Sequence, residues 1–353
     1  MIKAVLTSDF HLSVSSGRSA AVVPALEYQP EIMRAFFAQV TELKPDLLIV
    51  LGDNTNGGRY ADVLKLKEYL LPLVRQGIEL IMIPGNHDFD CGPEKYYEEL
   101  LFPLMNPDDR DPFSFSFARR IRDVLFLAVD DHESGRSACG VLRPETIRWL
   151  KKQLDTAAAD HLRPVFLSHH SLIADGWQVR KEFYCLQPDT VLPLLQEHGV
   201  RLAFCGHQHD AAIYRSGNLY EAAVPMPADG SHQYGLLTIT DHNADYSLHR
   251  LKFEGLLAEN IAETDRRAEE SKKAVFEKLL ENSRYDRDEM MAVLTAFNKA
   301  HNNSELYDQR DRIRAMPGYE QTMASLGEGI WSNWIRSLLA EDRLPENRLR
   351  IPF

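Results

Sequence analysis

The chain predicts an α/β unit over residues 1–255 followed by an α-helical appendage over residues 256–353. Three observations carry this. Short apolar runs alternate with amphipathic stretches from the N-terminus onward. A polar cluster closes one apolar run after another, at the strand ends where α/β sheets place their ligands. Beyond Leu256 the composition turns to Glu, Lys, Arg, Ala, Met and Leu, with few glycines and no strand-like run.

Taken in order, Ile2–Ser8 reads as a buried strand broken at Asp9. A helix follows near Glu31–Leu43, where Ile32, Met33, Phe36, Phe37 and Val40 share one face. Leu47–Leu51 is a second buried strand, ending at Gly52-Asp53. A helix near Ala61–Gln76 stops at Gly77, as helices commonly do. Glu79–Ile83 is a third strand, ending at Pro84-Gly85-Asn86-His87-Asp88. Phe113–Phe117 and Val124–Val129 follow as strands, the second ending at Asp130-Asp131-His132. A helix near Pro144–Ala157 leads to strand Pro164–Leu167, which ends in Ser168-His169-His170. A helix near Asp189–Glu197 leads to Val200–Phe204, which ends in Gly206-His207-Gln208-His209. Ala211–Arg215, Leu219–Val224, Tyr234–Thr240 and Tyr246–Leu251 suit antiparallel strands completing a second sheet. In the appendage, Ala274–Leu280, Glu289–Ala300 and Ser325–Ala340 read as amphipathic helices.

Composition narrows the function classes. With 44% hydrophobic and 26% charged residues the chain is an ordinary globular protein, and its apolar runs are too short to span a bilayer. No signal-peptide core develops before Asp9, so a cytoplasmic location is expected. Four scattered cysteines, Cys91, Cys139, Cys185 and Cys205, make no CxxC pair, which fits a reducing compartment. Cys205 is expected at a buried strand end. Acidic residues outnumber basic ones, 52 to 40, a balance that disfavours a nucleic-acid backbone and favours a small phosphate-bearing partner.

Five clusters remain: Asp9-Phe10-His11, Gly52-Asp53, Gly85-Asn86-His87-Asp88, Ser168-His169-His170 and Gly206-His207-Gln208-His209. Each is weak alone, since a DxH or HxH occurs often by chance. In order, at successive strand ends, they make a dinuclear metal site. Asp and His at i and i+2 beyond a strand leave the sheet edge together and can grip one ion, and an HxH pair can send one imidazole to each of two. Carboxylate, imidazole and a neutral amide oxygen suit Mn, Fe or Zn better than a thiophilic metal. Two divalent ions less the charges of Asp9, Asp53 and a bridging hydroxide leave about one positive charge to hold a phosphoryl group.

The five clusters resemble the signature of the calcineurin-like metallophosphoesterases. The resemblance spans residues 9 to 209. It implies a four-layer αββα sandwich with metals at the sheet ends, and hydrolysis of a phosphate ester through a metal-bridging hydroxide. It also implies Asp9, His11 and His209 on one metal, Asn86, His169 and His207 on the other, and Asp53 bridging. His170 is the alternative to His169. His87 matches the histidine that contacts the phosphate and assists the leaving group, and Asp88 or Asp90 is expected to orient it. More loosely, Gly52-Asp53-Asn54-Thr55-Asn56, Ser168-His169-His170-Ser171-Leu172 and the Pro225–Gly235 segment are similar to bacterial cyclic-nucleotide phosphodiesterases with a helical C-terminal domain. Asn54 departs from that pattern, where an apolar residue is usual. The forms GDxxDRG and GNHE of the Ser/Thr protein phosphatases are missing, which sets that branch below the diesterases. A nuclease and a phosphomonoesterase of the same superfamily are the rivals, and a non-catalytic scaffold ranks below both.

Around the centre, Asp131 and His132 are candidates to support metal-bound imidazoles. His232 and Tyr234 are candidates for the pocket, and Phe183 and Tyr184 for stacking on a base. Trp331 and Trp334 are expected as core or interface anchors. The appendage is expected to cap the site or to form a homodimer interface.

Overall fold

The computed structural model describes residues 1–14, 27–132, 140–173, 188–340 and 343–353. The chain opens with β1 (Ile2–Thr7), α1 (Gln29–Leu43), β2 (Leu47–Leu51), α2 (Tyr60–Arg75) and β3 (Glu79–Ile83). It continues through β4 (Asp109–Arg110), β5 (Phe117–Ile121), β6 (Val124–Ala128), α3 (Pro144–Ala159), β7 (Arg163–Leu167), α4 (Pro188–Glu197) and β8 (Leu202–Cys205). After these come β9 (Ala212–Ser216), β10 (Leu219–Ala223), β11 (Gln233–Ile239) and β12 (Asn243–Arg250). The helices α5 (Gly255–Leu279), α6 (Arg287–Asn302), α7 (Leu306–Arg314), α8 (Tyr319–Leu326) and α9 (Ile330–Leu338) precede a last strand, β13 (Arg348–Pro352).

The strands form two sheets, ordered β13-β12-β11-β1-β2-β3 and β4-β5-β6-β7-β8-β10-β9. The period-two alternation of strand side chains sorts them into layers. Val124, Phe126 and Ala128 of β6 and Val165 and Leu167 of β7 point into the core shared with the first sheet and with α1 and α2. Their neighbours Leu125, Leu127 and Phe166 point the other way, onto Trp149, Leu150 and Leu154 of α3 and Val191 and Leu195 of α4. Helix, sheet, sheet, helix is the four-layer sandwich. A third core, around Phe276, Met290, Phe297, Ile313 and Leu338, belongs to α5–α9 alone.

The strand and helix alternation from β1 to β8 follows the sequence reading, and Cys205 closes β8 as a buried side chain. Four differences stand out. The strand expected at Phe113–Phe117 lies at Phe117–Ile121, where Arg119 and Arg120 lower the apolar signal. The four late strands do not complete one sheet. β10 pairs in parallel with β8, whereas β11 pairs antiparallel with β1. Ser325–Ala340 is two helices, separated at Gly327, whose φ of 63° is left-handed backbone that a helix interior does not tolerate. Finally, the segment after Leu256 is not wholly helical: β13 returns to pair antiparallel with β12. Only Ile351 of β13 is buried, so little in Arg348–Pro352 reads as a strand. No helix among the described residues is long and apolar enough to cross a membrane.

Candidate metal centre

The parallel strands β1, β2 and β3 and the facing β7 and β8 all end on one side of the sandwich, and each delivers one cluster there. Asp9, His11, Asp53, His207 and His209 all adopt positive φ, at 55°, 44°, 48°, 64° and 61°. This left-handed backbone, which Asp and His tolerate better than most residues, turns each side chain off its strand toward the centre. Asp9 N–H donates to the Gly52 carbonyl (3.0 Å) and His11 N–H to the Asp53 carbonyl (2.8 Å), which ties the DxH turn to the GD turn.

The spacing of donor atoms is that of a site for ions. His11 Nε2 lies 3.1 Å from His209 Nε2, 3.6 Å from Asp53 Oδ2 and 3.9 Å from Asp9 Oδ1. His209 Nε2 lies 3.5 Å from Asp9 Oδ1. On the far side of Asp53, His169 Nε2 is 3.4 Å from the same Oδ2 and 3.2 Å from Asn86 Oδ1. Asp53 Oδ2 thus stands between two nests of ligand-type atoms. Asp9, His11 and His209 form one group that could hold an ion, and Asp9, Asp53 and His169 another.

The carboxylates provide the fit test. Asp53 Oδ1 accepts the His87 N–H (2.8 Å), and Asp9 Oδ2 accepts the His207 N–H (3.0 Å) and the Ser8 hydroxyl. Their other oxygens, Asp53 Oδ2 and Asp9 Oδ1, are buried with no hydrogen-bond partner among the described residues. Buried carboxylate oxygens left this way cost several kcal/mol unless a cation meets them, on the order of the desolvation penalty of a charged group. The donor set therefore fits metal ions.

Electrostatics divide the imidazoles: burial would lower His169, but Asp53, Asp9 and Asp131 raise it to about 10, so an ion there would have to displace its proton. Burial would raise the Asp53 carboxyl, but the His169 imidazole above all outweighs it and holds Asp53 well below its ordinary range. Burial lowers His11 to about 4, and burial with the neighbouring His170 and His169 holds His207 well down, so both imidazoles are neutral and ready to ligate.

Gly52 and Gly206 let the turns close. Gly52 has φ 90°, and a Cβ there would strike the His169 ring; a Cβ on Gly206 would fall on the Ser8 hydroxyl and the Leu51 carbonyl.

Of the two histidines after β7, His169 faces the centre. Its Nδ1 donates to the Leu51 carbonyl (2.7 Å), which leaves Nε2 toward Asp53 and Asn86. His170 turns instead to Asp131, which accepts its backbone N–H (2.8 Å) and lies 3.2 Å from Nδ1. Asp131 therefore supports His170, whose ring lies 4.3 Å from the His207 ring, tilted by 45°. His132 does not join it. It pairs with Asp130 and with Glu94 (3.6 Å), and these carboxylates raise it to about 10 although burial opposes them.

The acids after His87 divide their work. Asp90 Oδ2 meets His87 Nδ1 at 2.8 Å and orients the ring. Asp88 is buried and accepts from Asn54 N–H (3.1 Å), Asn54 Nδ2 (2.8 Å), Thr55 N–H (2.8 Å), the Thr55 hydroxyl (3.0 Å) and Gly85 N–H (2.9 Å). This gives Asn54 a role: its NH2 donates to Asp88 and to the Ile83 carbonyl (2.8 Å), which anchors a polar side chain where an apolar one is usual. Asp88 was visible in the sequence only as a neighbour of His87; its role as the clasp between the Asp53 and Asn86 turns was not.

The peripheral candidates disperse. Tyr234 packs on Phe36 in the core, 6.1 Å between centroids, and His232 bonds the Pro227 carbonyl (3.0 Å) and lies 3.2 Å from Asp265 of α5. Trp331 and Trp334 pack on each other and on the helical core. Phe183 and Tyr184, like Cys139 and Cys185, lie outside the described residues. Glu221 of β10 was missed. Fully buried, it accepts from the Ser171 hydroxyl (2.6 Å), Leu172 N–H (2.8 Å) and Ile173 N–H (2.9 Å), and so clamps the turn that follows the two histidines.

A four-layer sandwich with this ring of aspartates, histidines and one asparagine at its strand ends is a frame that could hold metal ions. The chain belongs to the calcineurin-like phosphoesterase family, whose model matches residues 2–211. A probable cyclic nucleotide phosphodiesterase from Synechococcus sp. is 28% identical over 184 residues, an alignment covering 52% of this chain and 65% of the length of that protein. A dimetal phosphatase from Danio rerio shares the fold with a TM-score of 0.58 at 11% identity, covering 71% of this chain and 96% of its own.

Proposed function

We propose that the chain is a phosphodiesterase acting on cyclic nucleotides or similar small diesters, with two divalent ions of Mn, Fe or Zn. Asp9, His11 and His209 would hold one ion, Asn86, His169 and His207 the other, and Asp53 both. The observation that carries this reading is the placement of Asp53 Oδ2, buried without a hydrogen-bond partner among the described residues and 3.6 Å and 3.4 Å from His11 Nε2 and His169 Nε2. When bound, such ions supply positive charge for the phosphoryl oxygens and acidify water.

The protein's own side chains do the rest. Asp90 holds His87 by Nδ1, so Nε2 is the nitrogen that meets the leaving oxygen and delivers its proton. Asp53 Oδ1 fixes the His87 backbone (2.8 Å), which couples the acid to the centre. Preference for diesters rests on the likeness to the Synechococcus protein and on the net charge of −12, which disfavours a long polyanion.

The test is elemental analysis of bound metal beside turnover of bis(p-nitrophenyl) phosphate and p-nitrophenyl phosphate. Faster diester turnover is expected, with metal content and activity lost together in Asp53→Asn. Full metal and normal activity in that variant would sink the two-ion account. Monoester preference would move the reading to a phosphatase.

A further inference from the structure

Helices α5–α9 lie between β12 and β13, two strands that pair with each other, so the helical unit is an insertion at a sheet edge, anchored on both sides. It also grips the segment from Pro225 to Gly235. Asp265 of α5 meets His232 (3.2 Å), the Asn303 carbonyl accepts from Gln233 Nε2 (3.3 Å), and the Ser304 hydroxyl donates to Gln233 Oε1 (2.8 Å). Arg250 Nη2 donates to Asn303 Oδ1 (2.8 Å). Met226, in the gripped segment, donates its N–H to the carbonyl of His209 (3.0 Å). The insertion is thus braced against the edge of the metal centre.

At that edge it presents its own side chains. His301 Nε2 of α6 lies 3.5 Å from Oδ1 of Asp210, the residue after His209. The Trp334 ring of α9 meets His301 edge-on at 5.2 Å, and Lys272 Nζ of α5 sits 5.9 Å from the Trp334 centroid. Asp229 stands at the same edge: its N–H donates to the carbonyl of Met226 (3.1 Å), the residue bonded to His209, and its carboxylate accepts from Gly230 N–H (2.7 Å).

We infer that His301, Trp334, Asp210 and Asp229 form one wall of the substrate cleft, and that this wall binds the nucleoside part of a phosphate ester. The inference rests on the phosphodiesterase reading above. The Asp210 carboxylate would repel a second phosphate, so the wall suits an uncharged part of the substrate. Oxygens of Asp210 and Asp229 accept hydrogen bonds from ribose hydroxyls or exocyclic amines. The imidazole and the half-buried indole add π surface on which a base can stack, whatever its identity. A phosphate ester without a base would leave that surface unused.

The experiment uses the full chain loaded with manganese. Binding of adenosine monophosphate and of ribose 5-phosphate is measured by calorimetry, with tryptophan fluorescence as a second readout. The nucleotide is expected to bind at least about tenfold tighter, since base–aromatic stacking is worth roughly this much per base. His301→Ala and Trp334→Leu should each cut nucleotide affinity about tenfold and collapse the ratio, with melting curves confirming a folded chain. His301→Phe, which restores a π face, should recover most of the affinity. A wild type that binds both ligands equally, or variants that keep the ratio, would overturn the wall. If the ratio behaves as expected but no diester is hydrolysed, the wall stands and the phosphodiesterase reading falls. If diesters are hydrolysed and no ratio exists, the reverse holds.

Discussion

Replacing Asp88 tests how the centre is held together. Alanine at this buried position removes the acceptor for four N–H donors: two backbone groups from Asn54 and Thr55, the Asn54 amide and Gly85. The Thr55 hydroxyl can rotate to another partner. Each orphaned buried donor costs about 1 kcal/mol at the low end, so the sum is about 4 kcal/mol, less whatever water recovers in the vacated space. Asparagine should cost less. Its carbonyl can keep the Asn54 and Gly85 bonds, and its NH2 can donate to the Thr55 hydroxyl oxygen, which leaves one N–H facing an N–H, at about 1–2 kcal/mol. Burial and the neighbouring Asp53 lift Asp88 to about 6, so near neutral pH its ionisation costs the fold stability, and losing the charge offsets part of the sum in both variants. Urea unfolding of the metal-free protein gives the stabilities, and elemental analysis after reloading gives the metal content. Alanine should also lower metal occupancy, since Asp88 ties the Asp53 turn to the Asn86 turn. An asparagine variant as unstable as alanine, or an alanine variant within about 1 kcal/mol of wild type, would refute the argument.

Two further outcomes are expected. Burial raises Glu221 to about 7, with the three bonds to residues 171–173 opposing it, so the folded chain keeps a proton that the unfolded chain releases above its ordinary value of 4.5. Stability from this group is therefore complete below about 4.5 and is lost as pH rises to about 7, by about 3 kcal/mol at 1.36 kcal/mol per unit. Urea midpoints at pH 5 and 7.5 should show that slope in wild type and less of it in Glu221→Gln; an unchanged slope would assign the effect elsewhere. For His87, alanine should lower kcat about 10²–10⁴-fold on an ester with a poor leaving group and far less on a p-nitrophenyl ester, which needs no acid. Equal losses on both would remove His87 from proton delivery.

The clusters were legible because their chemistry is local. Asp9 with His11, and His207 with His209, sit two residues apart, and an apolar run before each marks a strand end. The sheet partners were not legible. Alternation says that β10 and β11 are strands, but not that one would join β8 and the other β1. β13 escaped because an edge strand with one buried residue carries almost no apolar pattern. Glu221, on β10, is remote in sequence from the turn it clamps, and nothing around it marks a buried carboxylate. The pairing of His301 with Asp210 joins two units whose patterns are each complete without the other.

The backbone shows why the order of clusters was a better guide than any one of them. Five of the seven proposed ligands stand at positive φ, a conformation costing a non-glycine residue on the order of 1 kcal/mol each. Glycine would remove that cost, but it has no side chain to send to an ion. The conformation persists because neighbouring turns hold it from outside: the Gly52 carbonyl takes the Asp9 N–H, the Asp53 carbonyl takes the His11 N–H, and the Asp9 carboxylate takes the His207 N–H. Each turn is thus completed by another, so one cluster alone would relax to ordinary backbone. The strain is sustained by the sandwich, which brings the ends of β1, β2 and β8 to one edge, and it is spent on pointing carboxylates and imidazoles at a common centre.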